Sequence, residues 1–448
     1  MNRQADLIEI TFLFPYPKKL MPASLVRWRI LALLLGLGAL AYFQQKSLTV
    51  AAERIMPEFQ LSQMQLGWLQ WAFLLGYTSF QFLGGVVGQR LGPHRMLVLI
   101  GGVAFLATLS TPLAPLCVSG TGLFAALFIA QLVLGLAQAP INPVSAGVIQ
   151  VFFPARLWAC ANGLQTLAMH IGATLVPPLI VSLMQRWGWQ QALAWTALPA
   201  IALITLWASY GRDTPQKHPA VTNAELAELE PADPAKPDRA IDARRLARLL
   251  STPSLLLINL SYFCMNYVFY LLSNWCFLYL VQERHFTVLQ SGWLASLPPL
   301  GAAVGAGIGG RLADALCERY GASLGYRIVP LAALPAAGLL LSCAVYTGSA
   351  YLAVAALTLC FVCVELTEGA YWAATMRIAG PDTMAATGAM NTAGNLGGLV
   401  GIPIIAYFSG RGAWSIAFAI GTLFAIVSAA AWLGVDATPH AGRKPAQG

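Results

Sequence analysis

Stretches of about 20 mostly apolar residues, enough to cross a bilayer core at about 1.5 Å per residue, recur along nearly the whole chain. In the first half they run over about 28–50, 64–87, 95–115, 121–147, 160–185 and 189–210. In the second they run over about 254–281, 290–313, 327–346, 350–376, 385–409 and 413–434. The only long polar stretch lies between the halves, from Gly211 to about Pro253, where Pro and Ala mix with charges such as Asp238, Arg239, Arg244 and Arg245. It reads as a linker with one short surface helix. The pattern predicts an all-α, polytopic membrane protein of about twelve transmembrane helices in two pseudo-symmetric bundles. The boundaries it implies are an N-terminal tail over 1–24, a six-helix bundle over 25–210, the linker over 211–253, a second bundle over 254–434 and a C-terminal tail over 435–448.

Composition agrees: 58% of the 448 residues are hydrophobic and 10% charged, against roughly 25% charged in soluble domains. An even number of crossings puts both termini on one side. Cytoplasmic loops hold the excess of Lys and Arg, and only Lys46, Arg54, Arg186, Arg284 and Arg411 fall on the side opposite the termini, leaving 21 of 26 with them. Both termini are therefore expected to be cytoplasmic, in an inner membrane of bacterial type. The net charge of +8 follows from this topology, and no basic patch on a soluble domain points to nucleic acid. Most of the eight cysteines lie in or beside apolar spans, where free thiols act as small hydrophobes, so no disulfide framework is implied. Residues 1–24 lack the order of a cleavable signal, and Met21 could equally be the start.

Two short Gly-rich, charged segments recur half a chain apart. One runs Gly85, Val86, Val87, Gly88, Gln89, Arg90, Leu91, Gly92, Pro93, His94, Arg95; the other has Gly310, Arg311, Leu312, Ala313 and Asp314, with Glu318, Arg319 and Gly321 following. The separation is 225 residues. Glycines there permit close backbone approach, and a carboxylate with an Arg can bridge helix ends in one conformation and not another, which suits Gly85, Gln89, Arg90, Gly310, Asp314 and Arg319 to a conformational gate. In this arrangement the chain resembles the major facilitator superfamily. Within it the chain is most similar to the anion:cation symporter branch, which carries sugar acids and other organic anions, and more distantly to the organophosphate antiporters. The resemblance spans nearly all twelve helices and rests on 42–52 (YFQQKSLTVAA), 76–85 (GYTSFQFLGG), 135–143 (GLAQAPINP), 152–156 (FFPAR) and 391–398 (NTAGNLGG). It implies two rocking bundles around a midplane solute site. Gln89 departs from it, standing where the family usually has Asp, so a first-half latch would be a hydrogen bond rather than an ion pair.

Polar groups inside a span cost several kcal/mol, so they are expected to face a cavity or a partner helix. Tyr42, Gln45 and Thr49 share a face of the first helix, with Lys46 one turn beyond Tyr42. The resemblance aligns Gln44 and Gln45 with an Asp-Arg pair whose Arg holds the anion, and Gln131 and Gln138 with an Arg and a proton-carrying Glu. Four neutral amides thus replace four ionisable groups. Lys46 could restore a positive charge by reaching back into the cavity, or snorkel outward. His170, the only histidine inside a predicted span, suits proton exchange, oxyanion binding or an interhelical hydrogen bond; the resemblance to the antiporters includes a histidine there.

Glu365 and Glu368 of the tenth helix are the only carboxylates placed deep in a span, and with Trp372 they form an i, i+3, i+7 face. Two carboxylates so close in a low dielectric repel when both are charged, so one could carry an exchangeable proton; a structural role with Arg377 is the alternative. Cys363 lies about 200° around the helix from Glu365 and about 140° from Glu368, which argues against a metal site shared with Cys360. Asn391 and Asn395, Tyr77 and Trp372 fall at positions that the resemblance places against solute, where aromatic walls suit a sugar-like or planar molecule.

These features predict a secondary transporter that takes up a small organic anion with protons, working as a monomer in the lipid bilayer without cofactor or metal. No G-x-x-x-x-G-K-[ST] phosphate loop is present to harness ATP, and no nucleophile, base and orienting partner suggest an enzyme. The four amides and two glutamates leave open a carrier or exporter of a neutral or cationic solute, or a solute sensor that no longer transports.

Overall fold

The computed structural model describes residues 26–229 and 242–438. The expected N-terminal tail, with its question of Met21, lies outside the described residues, as do the middle of the linker and most of the C-terminal tail. Nine helical stretches among the described residues are long and apolar enough to cross a membrane. Two of them, Ala155–Tyr210 and Ala350–Ser409, each contain two crossings, and Gln63–Leu91 supplies the twelfth.

The first six spans are Val26–Phe59, Gln63–Leu91, Pro93–Cys117, Thr121–Phe152, 158–187 and 189–210. The next six are Pro253–Gln282, 288–320, Ala322–Tyr346, 350–379, Thr383–Ser409 and Trp414–Trp432. The second and third spans are joined through Gly92 (φ 88°) and the eighth and ninth through Gly321 (φ 79°), a left-handed backbone that side chains rarely adopt. This is the turn the repeated Gly-rich segments anticipated. Several spans are not single helices. The fourth breaks around Ala139 and Pro140, the eighth around Ala295 and Ser296, and the tenth at Thr367, so Glu365 and Glu368 flank a break rather than share one continuous face. Irregular backbone at membrane depth persists where it is buried in protein or lines a cavity.

The bundles meet where the fifth span packs on the eighth and the second on the eleventh. Small residues make this possible: a Cβ on Gly163 would stand 2.5 Å from Ala306 O, Gly310 packs on Ala159 O, and Gly85 packs on Met384 O. Two polar contacts pin the seam at the end where the linker lies. Asp314 at the foot of the eighth span accepts the backbone N–H groups of Ala159 (3.1 Å) and Cys160 (2.7 Å), the exposed donors of the fifth helix start. Gln89 at the foot of the second span donates to Asp382 Oδ1 (2.6 Å), and the linker's Arg245 Nε reaches Asp382 Oδ2 (2.8 Å). Gln150 of the fourth span adds a bond to Gly380 O (2.8 Å). Further bonds between the bundles, from Gln150 to Met376 O and from Asn162 to Met376 Sδ, lie at this end or at the cavity beneath it. The linker end is therefore closed.

Candidate functional site

A cavity opens between the bundles near the breaks of the fourth and tenth spans. Tyr42 and Gln45 of the first span, Tyr77 of the second, Asn142 of the fourth, and Asn162, Gln165 and His170 of the fifth form one wall. Tyr262, Asn266 and Tyr270 of the seventh span, Glu365, Glu368 and Trp372 of the tenth, and Asn391 and Asn395 of the eleventh form the other. Among the described lining residues there are two carboxylates and one histidine but no Lys or Arg.

The carboxylates have different surroundings. Glu368 Oε2 accepts Trp372 Nε1–H (2.8 Å) and the Tyr262 hydroxyl (3.2 Å), both from its own bundle. Tyr262 is held in turn by its ring against Tyr371 (centroids 4.9 Å apart), whose hydroxyl lies 2.5 Å from Ser261 Oγ. Glu365 Oε2 makes no hydrogen bond of good geometry but stands 3.2 Å from His170 Nε2, at ion-pair distance and across the seam. Glu365 is 1% exposed and His170 8%. The tenth span comes this close because glycines of the eighth leave room: a Cβ on Gly305 would stand 2.5 Å from Val362 O, and Gly309 packs on Leu366 O.

The amide wall is also ordered. Gln165 donates to Asn142 (3.4 Å) and Asn142 to the Tyr77 hydroxyl (3.5 Å), while Tyr270 donates to Asn395 (2.7 Å), whose amide donates to Asn391 O (2.8 Å). Such a lining offers both donors and acceptors to a polar solute, with Trp372 and Tyr rings to pack against it.

Nine of the residues singled out from the sequence for solute or proton lie on this cavity: Tyr42, Gln45, Tyr77, His170, Glu365, Glu368, Trp372, Asn391 and Asn395. Gln131 and Gln138 do not. Both are buried, and Gln138 donates to Gln44 Oε1 (3.1 Å), while Gln44 Nε2 donates to Thr196 O (3.3 Å). Gln44 and Gln138, two of the four amides, thus bond to each other inside the first bundle. Lys46 does not line the cavity either; its side chain is exposed and has no partner among the described residues. Of the gate residues, Gly85, Gln89, Gly310 and Asp314 lie in the seam, whereas Arg90 is exposed and Arg319 stands over the Tyr320 ring (5.3 Å). Sequence reasoning passed over Asn142, Asn162, Gln165, Tyr262, Asn266 and Tyr270. The signal was present, since 262, 266 and 270 repeat at i, i+4, i+8 and all six are polar groups inside apolar spans.

Comparison with known proteins agrees with this architecture. The protein named Probable sulfoacetate transporter SauU of Cupriavidus necator is 27% identical over 418 residues, covering 92% of this chain and 94% of that one. The Probable galactarate/D-glucarate transporter GudP of Bacillus subtilis is 28% identical over 349 residues, 75% of each chain. The crystal structure of the transporter FucP in the outward conformation superposes with a TM-score of 0.67 at 18% identity, covering 90% of this chain and 97% of FucP. The sequence profile of the Major Facilitator Superfamily matches residues 34–402, more than half the chain, and the protein is a multi-pass membrane transporter of that superfamily.

Proposed function

We propose that this transporter moves a small organic acid across the inner membrane by alternating access, driven by protons carried on Glu365 and Glu368. The observation that supports it most is the pair of buried carboxylates flanking the break in the tenth span, opening on a cavity shared by both bundles. Carboxylates held in low dielectric, one of them within reach of an imidazole, can exchange a proton as the bundles rock. The names of the curated relatives, which specify sulfoacetate, galactarate and glucarate, favour an organic acid as solute. The single-chain, twelve-span architecture is consistent with a monomer. The excess of Lys and Arg on the linker side supports cytoplasmic termini, and hence a cavity accessible from outside when the linker end is closed.

A second reading has its own support. A lining with two glutamates and no Lys or Arg favours a neutral or cationic solute over an anion unless Lys46 turns inward. Thermal-shift screening of purified protein against sulfoacetate, sugar acids, neutral sugars and amines separates the two. Stabilisation by acids that weakens in Lys46→Ala supports the anion carrier; stabilisation by neutral or cationic compounds alone overturns it. Reconstituted vesicles then test transport itself. Accumulation of the stabilising compound under an imposed pH gradient, collapsed by an uncoupler, is expected, and binding with no flux would instead mark a sensor.

A further inference from the structure

Glu368 is hydrogen-bonded but not neutralised. Its Oε2 accepts the Trp372 indole N–H (2.8 Å) and the Tyr262 hydroxyl (3.2 Å), both neutral donors, and no hydrogen bond to Oε1 is seen among the described residues. The residue is 6% exposed and lines the cavity, where the described lining holds no Lys or Arg. A carboxylate so placed is stabilised most by a positive charge delivered into the cavity.

The walls beside it suit an organic cation. Trp372 and Tyr262 bond to Glu368 by their polar edges, and Tyr42 of the first span with Phe269 and Tyr270 of the seventh line the same cavity. Aromatic faces attract ammonium groups, more so when both are desolvated. The Tyr262 ring is fixed edge-on against Tyr371 (centroids 4.9 Å apart), and the eleventh span closes on it because Gly394 has no side chain; a Cβ there would stand 2.6 Å from the ring.

Donors for an acid group come from other elements. Asn391 Nδ2 of the eleventh span is buried and makes no hydrogen bond of good geometry. Gln165 of the fifth and Asn142 of the fourth hold only long bonds, 3.4 Å and 3.5 Å, that a solute oxygen could replace. All three line the cavity.

We propose that Glu368, with Trp372 and Tyr262, forms a subsite for a cationic nitrogen, so that the solute is a zwitterion: an organic acid that also carries an ammonium group. The inference rests on the carrier reading above and narrows its solute class. With Glu368 neutralised by the solute, the coupling proton rides on Glu365. An acid without a cationic nitrogen sets like charge against Glu368, and an amine without an acid group leaves the Asn391 amide unpartnered.

The test is equilibrium binding by the full chain in detergent, read as thermal stabilisation over a concentration series, against sodium chloride at equal ionic strength. Two sets of compounds keep one acid group and change the far end: sulfoacetate, hydroxyethanesulfonate and aminoethanesulfonate; and succinate with its hydroxybutanoate and aminobutanoate analogues. In whichever set fits the cavity, the ammonium member is expected to bind about tenfold more tightly than the hydroxyl member, and the diacid least. Glu368→Gln should erase that preference while the hydroxyl member binds at least as well as to wild type, which also shows that the variant folds. Trp372→Leu keeps the charge but loses the indole face, and should cut the preference severalfold. Three results each overturn the subsite: neither set prefers its ammonium member, no ammonium member stabilises above the salt control, or the preference is unchanged in Glu368→Gln. If the ammonium members bind as expected but are never accumulated by vesicles under a pH gradient, the carrier reading alone has failed; if an acid without ammonium is accumulated and no ammonium member binds, this inference alone has.

Discussion

The two bundles repeat one architecture but divide its charge unequally. Positions 89 and 314 are related by the half-chain shift of 225 residues, and so are the helix starts at Trp158 and Thr383. In both halves the foot of one span meets the start of a helix in the other bundle. Yet in one contact the carboxylate sits on the loop position, Asp314, and takes backbone N–H groups; in the other it sits beside the helix start, Asp382, and takes the Gln89 amide. Either way the carboxylate belongs to the second bundle. The cavity follows the same rule, since Glu365 and Glu368 are both second-bundle residues and the first bundle answers with amides and His170. The repeat has thus kept the geometry of contact while moving negative charge to one side, so that the seam reads as donors facing acceptors.

That comparison can be broken by placing charge on the wrong side. Gln89→Asp sets a second carboxylate against Asp382 and should produce the largest effect, because apposed like charges cost several kcal/mol. The linker end should open, read as a large rise in the alkylation rate of Cys160, whose backbone packs on Gly310 in the seam; Asp382→Asn in the same chain should reverse most of it. Asp314→Ala removes the acceptor for two backbone donors and should open the same end by about 1–3 kcal/mol, roughly a 5- to 150-fold rise in that rate. Arg245→Ala should do least. Its side chain is 28% exposed, and a pair so open to solvent contributes about 0–1 kcal/mol. If Arg245→Ala matched Gln89→Asp, the linker rather than the bundles would hold the closed state.

The twelve crossings were legible because a bilayer demands long apolar runs and the linker interrupts them with charge. The breaks were not. Glu365, Glu368 and Trp372 read as one helical face, but the tenth span interrupts at Thr367, where it packs on the glycine face of the eighth; tertiary packing sets that break, and no local residue announces it. Face arguments worked where the partner was the cavity, as for Tyr42 and Gln45, and missed where it was another helix of the same bundle. Gln131 and Gln138 share a face by their spacing of seven, but spacing cannot say which neighbour that face meets, and Gln138 meets Gln44. Asp382 carried no signal at all, since an acid in a loop is ordinarily solvated. Asn142 and Gln165 were readable by the same cost-of-burial argument that singled out the glutamates, applied to neutral groups as well.

The coupling of solute to protons proposed here belongs to the second bundle's carboxylates. Its most direct test is vesicle transport by the Glu365→Gln, Glu368→Gln double variant, with whichever organic solute the wild type accumulates under a pH gradient. Gradient-driven accumulation is expected to be lost while exchange of labelled for unlabelled solute across the membrane persists, because the cavity and both seam contacts remain. Accumulation equal to wild type would contradict it and place the coupling site elsewhere.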